Sequence, residues 1–324
     1  MKKVHYMTII AVLAILVVLL GVDVILLSGK QENKISKAEP LKENPILWTP
    51  PDTAEIPSTE NGNLIRYGRN LIVHTAQYFG PEGSISQSEN GLNCQNCHLA
   101  AGTRLFGNNF STAASSYPIF RARANRYISL SERVNGCMER SMNGKAIDSA
   151  GREMKAIIAY LKWIGQGVNK NERVLGAGTK KLVFMSRAAD PQRGKVIFVN
   201  NCASCHGLTG EGKLNTNGKE YLYPPLWGPR SYNMGAGFYR ISKLASFVKN
   251  NMPFGTTYHD PVLTDEQAWD VAAYVNSQPH PVYRHLQNDW KNVAAKPFDY
   301  PFGPYADTFS ERQHKYGPFS EIKK

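Results

Sequence analysis

Two short stretches of the sequence carry the residues best suited to chemistry, each with two cysteines that are separated by two residues and followed directly by a histidine. The residues are Cys94, Cys97 and His98 in the first stretch, and Cys202, Cys205 and His206 in the second. This spacing lets two thiols reach the two vinyl groups of a porphyrin and places the histidine beneath its iron. A redox dithiol or half of a zinc site would explain the cysteine pairs, but not the histidine after each. The sequence therefore predicts two covalently attached c-type haems.

The fifth cysteine, Cys137, is left over when the other four serve for haem attachment. It lies between Arg133 and Arg140, with more arginines upstream, whereas a structural cysteine usually has apolar neighbours. Nearby arginines favour the thiolate, which is the form of cysteine that binds iron or attacks sulfur. We therefore expect Cys137 to be the sixth ligand of the first haem iron. The other candidate ligands near this haem are Met138, Met142 and His74.

The second haem has a candidate sixth ligand in Met252, which follows a helical stretch and directly precedes Pro253. Because proline stops the helix, the thioether lies on a loop that can fold over the haem face. Met234, in a glycine-rich segment, is the competing candidate, and either methionine could instead fill a core. We expect His206 and Met252 to ligate the second iron.

The length and charge of the chain narrow the classes of function. Its 324 residues fit about two domains of ordinary size. The formal net charge is +12 with neutral histidines, but the basic residues form no long run, which argues against nucleic-acid binding. The charge is either a solvated surface or an attractor for a small anion or an acidic redox partner.

An apolar stretch at residues 7–27 predicts a membrane-spanning helix, because about 20 apolar residues cross a bilayer core. No pair of small residues suited to a signal peptidase closes the stretch, so residues 1–29 are expected to be an uncleaved anchor. Lys2 and Lys3 should keep the amino-terminal end in the cytoplasm. The polar, proline-containing residues 30–60 form a tether. The haem domains would then lie in the periplasm or on the outer face of the cytoplasmic membrane.

Two predicted helices bracket each haem motif, which is the plan of a mono-haem cytochrome c domain. In the first domain, apolar residues recur at helical spacing around Leu71 and around Ile157. In the second, Asp190 and Pro191 begin one helix and Thr264 begins the capping box of another. The sequence therefore predicts an all-α fold of two tandem cytochrome c domains, preceded by the transmembrane helix and followed by an extended carboxyl-terminal arm. The predicted bounds are 61–165 for the first domain, 166–185 for a linker, 186–285 for the second domain and 286–324 for the arm.

Beyond these motifs, several runs of sequence resemble the dihaem thiosulfate dehydrogenases. The runs are residues 117–118, 121–123, 133–135, 137–144, 224–229, 232–233, 251–253, 299–305 and 314–318. The resemblance implies an enzyme that oxidatively joins two thiosulfates into tetrathionate, a reaction that some members run mainly in reverse.

The resemblance also implies roles for individual residues. Histidine and cysteine would ligate the first iron, and histidine and methionine the second. These ligands fall on His98, Cys137, His206 and Met252. The substrate-site residues of the family fall on Arg123, Arg133 and Ser141. The predicted membrane anchor is a departure, since many members are soluble after signal cleavage.

These residues suggest a mechanism. Arg123 and Arg133 would hold the sulfonate oxygens of thiosulfate, and Ser141 would add a neutral donor. Cys137 would leave the iron and form a sulfur–sulfur adduct with one thiosulfate, from which a second releases tetrathionate. Electrons would pass through the second haem to a small periplasmic cytochrome c or a similar one-electron acceptor. The rival functions are a non-catalytic dihaem electron-transfer protein, with Cys137 inert, and a dihaem peroxidase.

Overall fold

Four helices in two packed pairs form the framework of the chain. The structure, a computed structural model, describes residues 47–323 except 171 and 173. The elements of the first domain are α1 (Glu60–Val73), α2 (Thr75–Phe79), α3 (Leu99–Gly102), β1 (Ile119–Arg121), β2 (Arg126–Ile128), α4 (Leu130–Arg140) and α5 (Arg152–Ile164). Those that follow are α6 (Pro191–Asn201), α7 (Ala203–His206), β3 (Lys213–Leu214), β4 (Tyr221–Tyr223), α8 (Ile241–Asn251), α9 (Asp265–Ser277) and α10 (Glu311–Tyr316). Helix α1 packs on α5, and α6 packs on α9.

The same close approach of two helices occurs in both domains. A Cβ atom on Gly68 of α1 would lie 1.9 Å from the carbonyl oxygen of Ala156, and one on Gly194 of α6 would lie 1.9 Å from that of Asp270. Only glycine lets the two backbones come this near. The repeated contact confirms that the two halves of the chain share the predicted cytochrome c plan.

Helix starts follow the predicted capping chemistry. The Asp190 side chain accepts hydrogen bonds from the first backbone N–H groups of α6, with Pro191 in the first turn. Thr264 and Gln267 form the expected capping box of α9. These two predictions are confirmed.

The fold is rich in helix, as predicted, but not wholly so. Strands β1 and β2 form an antiparallel pair that pairs Phe120 with Tyr127, and β3 and β4 form a second pair. Within the described residues, the sheets contain two strands each. Both hairpins lie outside the packed helix pairs, so the helices still form the core of each domain.

The two domains contact each other through the β3–β4 hairpin. The carboxylate of Glu220, on this hairpin, is buried. It lies 3.0 Å from His74 Nδ1 and accepts hydrogen bonds from Gln77 Nε2 at 2.8 Å and from Asn93 Nδ2 at 3.0 Å. Because Asn93 directly precedes Cys94, one carboxylate of the second domain holds three side chains around the first haem motif.

Main-chain hydrogen bonds tie the linker and the carboxyl-terminal arm to other segments outside the helix pairs. In the linker, Gly176 O accepts a hydrogen bond from Phe106 N at 2.7 Å, and Leu175 O accepts one from Trp48 N at 3.0 Å. In the carboxyl-terminal arm, Trp290 N donates to Arg123 O at 2.8 Å. The stretch predicted to cross the membrane, residues 7–27, lies outside the described residues. Within residues 47–323, apart from 171 and 173, no helix has the length and apolar character needed to span a bilayer.

Candidate haem and substrate site

The two predicted proximal histidines are oriented in the same way. The Nδ1 atom of His98 lies 2.5 Å from Asn108 O, and that of His206 lies 2.8 Å from Pro224 O. Each Nδ1–H can donate to its carbonyl, which leaves Nε2 with a lone pair for a metal. Burial lowers the pKa of His206, and it lowers the pKa of His98 to about 4, so both rings are neutral and able to ligate.

The thiols of the first motif are held for attachment rather than for redox chemistry. Cys94 N donates to Thr75 Oγ1 at 3.0 Å, which fixes the start of the motif. Burial raises the pKa of Cys94 and of Cys97 to about 12, so neither is a free thiolate at neutral pH. Such thiols suit a permanent thioether bond.

A cavity opens beside this motif. Cys94, Cys97 and His98 line it, together with apolar side chains such as Ile72 and Leu161. Two thiols, an imidazole with a free Nε2 and apolar walls are the donor set and the surroundings that a c-type haem requires. The residues present therefore fit a covalently bound haem.

Cys137 lies in the same region as His98. It lines the same cavity and also an adjoining one, and His98 lines both. Met138 and Met142 line only the first cavity and are part of the buried core of the domain. His74 lines neither, because its Nδ1 is engaged by Glu220. This geometry favours Cys137 over the other candidates, and its ligation of iron stays a prediction.

Arg133 lies one turn before Cys137 on α4. Its side chain and that of Arg121 line the adjoining cavity together with Cys137. The charge of the Cys137 sulfur is the main cause that raises the pKa of Arg133. Among the described residues, no carboxylate forms an ion pair with Arg133, so its charge remains available for an anion.

Arg123 lies beside this cavity rather than among the residues that line it. Its guanidinium donates to Gly235 O at 3.3 Å. Burial, with a further effect from Arg140, lowers the pKa of Arg123 to about 10, so it is still charged at neutral pH. The nearby carboxylate of Asp289 is bound bidentately by Arg140, at 2.7 and 2.8 Å. Arg123 therefore adds positive charge to the region.

Ser141 ends helix α4 and lines the haem cavity. Its backbone N–H donates to Cys137 O at 2.8 Å, which places the two residues one turn apart. The structure thus gathers Arg133 and Cys137 on α4 and Ser141 directly after it around adjoining cavities, with Arg123 at their margin. Arg121 is an additional charge that sequence reasoning noted only as a neighbour, and its place in the cavity depends on the β1–β2 hairpin.

Met252 lies at the end of a helix, as the sequence predicts. It is the first residue after α8, half-buried, and its N–H donates to Val248 O at 2.8 Å. The competing Met234 packs against a cluster formed with Tyr232 and Tyr239, and its N–H donates to Pro281 O. Met234 therefore has a role in packing, and ligation by Met252 stays a prediction.

Glu89 is a buried carboxyl that sequence reasoning missed, since nothing in its polar loop marks it. It is 7% exposed, and neither carboxyl oxygen has a hydrogen-bond partner among the described residues. Its burial raises its pKa well above that of an ordinary glutamate. At pH values between the ordinary pKa of glutamate and this raised pKa, the folded state therefore keeps a proton that the unfolded state has released.

The pKa of Glu89 predicts a pH-dependent stability. Above the ordinary pKa of glutamate and below the raised one, the unfolding free energy of the wild type should fall by about 1.4 kcal/mol per pH unit relative to Glu89→Gln. Denaturant unfolding of both proteins across that pH range measures the difference. Glu82→Gln, at an exposed glutamate of the same loop, is the control. Parallel curves for the wild type and Glu89→Gln would contradict the prediction.

Comparison with known families agrees with these two sites. Residues 84–169 match the SoxA/TsdA cytochrome c domain family, and residues 191–279 match the cytochrome c family. Each match spans one Cys-x-x-Cys-His motif. The chain therefore carries two c-type haems, one in each domain.

Several relatives are thiosulfate dehydrogenases. A thiosulfate dehydrogenase of Allochromatium vinosum is 36% identical over 248 residues, which are 75% of this chain and 88% of that protein. One of Psychrobacter arcticus is 36% identical, with 75% of this chain and 71% of that protein covered. The solved thiosulfate dehydrogenase TsdBA of Marichromatium purpuratum, in its as-isolated form, matches with a TM-score of 0.67 and 33% identity. That match covers 72% of this chain and 50% of the other, so this chain spans half the length of TsdBA. Because the similarity to the curated relatives runs over most of the sequence, the chain belongs to the thiosulfate dehydrogenase family.

Proposed function

We propose that the protein is a thiosulfate dehydrogenase that oxidatively joins two thiosulfates into tetrathionate in its first haem domain. The observation that carries this proposal is the placement of Arg133 and Cys137 one turn apart on α4, lining the cavity that His98 also lines. A cationic cavity with a sulfur nucleophile suits a small sulfur oxyanion. The activity named for the relatives supports the same substrate.

The arginines reduce the electrostatic repulsion between two bound thiosulfates. Thiosulfate is a dianion, and at about 4 Å each pair of unit charges repels by roughly 4 kcal/mol under surface-like screening. Arg133 and Arg123 are not neutralised by a carboxylate of the described residues, whereas the nearby Arg140 is bound by Asp289. Charge-assisted hydrogen bonds from these two guanidinium groups to sulfonate oxygens offset the repulsion. Ser141 adds a neutral donor.

Cys137 acts as the nucleophile that bonds transiently to the first thiosulfate. Its thiolate forms a sulfur–sulfur bond with the outer sulfur of one thiosulfate, and the pair loses two electrons. The outer sulfur of a second thiosulfate then attacks the same sulfur, which releases tetrathionate and restores the Cys137 thiolate. In total, two thiosulfates give one tetrathionate and two electrons. Both steps need the thiolate of Cys137, which is the nucleophilic form of cysteine.

When bound, the two haems would supply the one-electron redox chemistry that takes up these electrons. The chain's own contribution is ligation by His98 and Cys137 in one domain and by His206 and Met252 in the other. Methionine ligation raises a haem potential relative to thiolate, which suits the second domain for electron exit. The acceptor would be a small periplasmic cytochrome c or a similar one-electron carrier.

The proposed location follows from the amino terminus. The apolar residues 7–27 would anchor the protein in the cytoplasmic membrane, and the haem domains would lie on its outer, periplasmic face. What supports this is the sequence alone, together with the attachment of c-type haem outside the cytoplasm.

Steady-state assays in both directions test the function. We expect thiosulfate to drive reduction of ferricyanide, and tetrathionate to reoxidise reduced viologen. A non-catalytic electron carrier would do neither at a rate above the background without enzyme. A dihaem peroxidase would instead turn over hydrogen peroxide and show a high-spin haem in electron paramagnetic resonance. A low-spin, thiolate-ligated haem with turnover of thiosulfate is the result that supports the proposal.

A further inference from the structure

Asn251, the last residue of α8, joins the two haem domains. It is 1% exposed, and its Nδ2 donates to Phe106 O at 3.1 Å and to Phe247 O at 3.0 Å. Phe247 belongs to the same helix, but Phe106 is in the first domain, on the loop that follows the haem motif. The side chain therefore fixes the end of α8 against the other domain.

The loop that Asn251 contacts also holds the proximal histidine of the first domain. His98 Nδ1 lies 2.5 Å from the carbonyl oxygen of Asn108, two residues after Phe106. Two hydrogen bonds and a three-residue run of main chain thus connect the His98 ring to Asn251. The next residue along the chain is Met252.

Further contacts hold the same two loops together. The Arg104 guanidinium donates to Thr256 O, and the rings of Phe106 and Tyr258 lie 4.5 Å apart. These contacts begin four residues after Met252, whereas the Asn251 bond is directly beside it. Asn251 is therefore the contact best placed to control where the Met252 side chain lies.

The amide of Asn251 is only partly satisfied. Its Oδ1 is buried and has no hydrogen-bond partner within the described part of the chain. Leaving a buried polar atom unpaired destabilises the fold, and an apolar residue would avoid that loss. The gain from asparagine at this position lies in the Nδ2 donor and its contact with Phe106.

We propose that Asn251 is a positioning residue for the Met252 thioether and ties it to the loop that holds His98. This rests on the proposed function, and on Met252 as the sixth ligand of the second iron. Partners beyond the ligands themselves orient metal ligands, and changing them commonly costs about 10- to 100-fold in metal affinity or activity. The placement of a ligand in one domain thus depends on a carbonyl of the other.

The neighbouring Asn250 provides a matched control. It is 3% exposed, and its Nδ2 also makes two hydrogen bonds, to Ser246 O in the same helix and to Lys180 O in the linker. It matches Asn251 in residue type, burial and helix position. The difference is that its amide does not reach the loop that holds His98.

The test compares Asn251→Leu with Asn250→Leu in the full chain with both haems attached. The first readout is the red charge-transfer absorption of a methionine-ligated ferric haem, and the second is the reduction potential of the second haem. The third is the rate of electron transfer from the first haem to the second after rapid reduction. We expect Asn251→Leu to weaken the absorption, shift the potential and slow the transfer by about 10- to 100-fold. Asn250→Leu should retain all three wild-type values, and Asn251→Gln, which keeps an amide donor, should recover part of the loss.

Two results would overturn the inference: equal effects of the two leucine variants, or wild-type readouts in Asn251→Leu. If Asn251→Leu does not fold, Asn251→Asp carries the same test, because it keeps the shape and replaces the donor with an acceptor. A different result would contradict the proposed function, namely a wild-type protein that does not turn over thiosulfate. In a wild type that turns over thiosulfate, only the role of Asn251 is then at stake.

Discussion

Replacing Cys137 by glycine is expected to abolish thiosulfate turnover while both haems remain attached. The attachment residues belong to the two Cys-x-x-Cys-His motifs, and Cys137 is in neither of them. Its thiolate is the group that bonds to the first thiosulfate in the proposed reaction. Removing a covalent nucleophile costs on the order of 10⁴-fold or more in turnover. The measurement is thiosulfate-dependent reduction of ferricyanide, with haem content measured on the same sample.

Two further variants sharpen this result. Cys137→Met offers a sulfur ligand without a thiolate, so we expect it to be as inactive as the glycine variant. Gly136→Ala is the control, because a Cβ at that position would meet no atom within 4 Å and alanine suits a helix. Full activity in Cys137→Gly would refute the adduct.

Arg133→Gln is expected to produce the next largest loss. Removing one partner of a buried, hydrogen-bonded charge pair costs about 2–5 kcal/mol, which is about 30-fold to several thousand-fold in kcat/KM for thiosulfate. The kcat/KM of Arg133→Lys should lie between those of Arg133→Gln and the wild type, because lysine keeps the charge but loses the bidentate geometry. Steady-state kinetics over a range of thiosulfate concentrations measures the effect.

The control for Arg133 is Arg126→Gln. Arg126 is exposed and pairs with Glu132 at 2.6 Å, and surface pairs of this kind contribute little. We expect its kcat/KM to stay close to that of the wild type. If both glutamine variants lose activity equally, the general positive charge of the domain is responsible, and not an anion site at Arg133.

The features that could be predicted from the sequence are those determined by neighbouring residues. The haem motifs and the caps at Asp190 and Thr264 each depend on residues close together in the chain. Helix α4 was missed although it has such a signal. Ser129 and Glu132 form a capping box at its start. The helix is polar overall, so its apolar side is too narrow for periodicity to reveal.

Contacts between distant residues could not be predicted in this way. His74 and Glu220 are 146 positions apart, and Phe106 and Asn251 are 145 apart. A histidine or an asparagine gives no local indication of a partner so far along the chain. For the same reason, His74 was a candidate iron ligand in the sequence, whereas in the folded chain its ring is paired with the carboxylate of Glu220.

The buried Glu220 limits how this protein can be re-engineered. Its carboxylate is 4% exposed and depends on donors that belong to the other half of the chain. A chimera that grafts the second cytochrome module onto a foreign partner would leave an acid in an interface built without His74, Gln77 and Asn93. Such a chimera should assemble only if its partner domain also carries those three side chains. The two domains therefore have to be exchanged together.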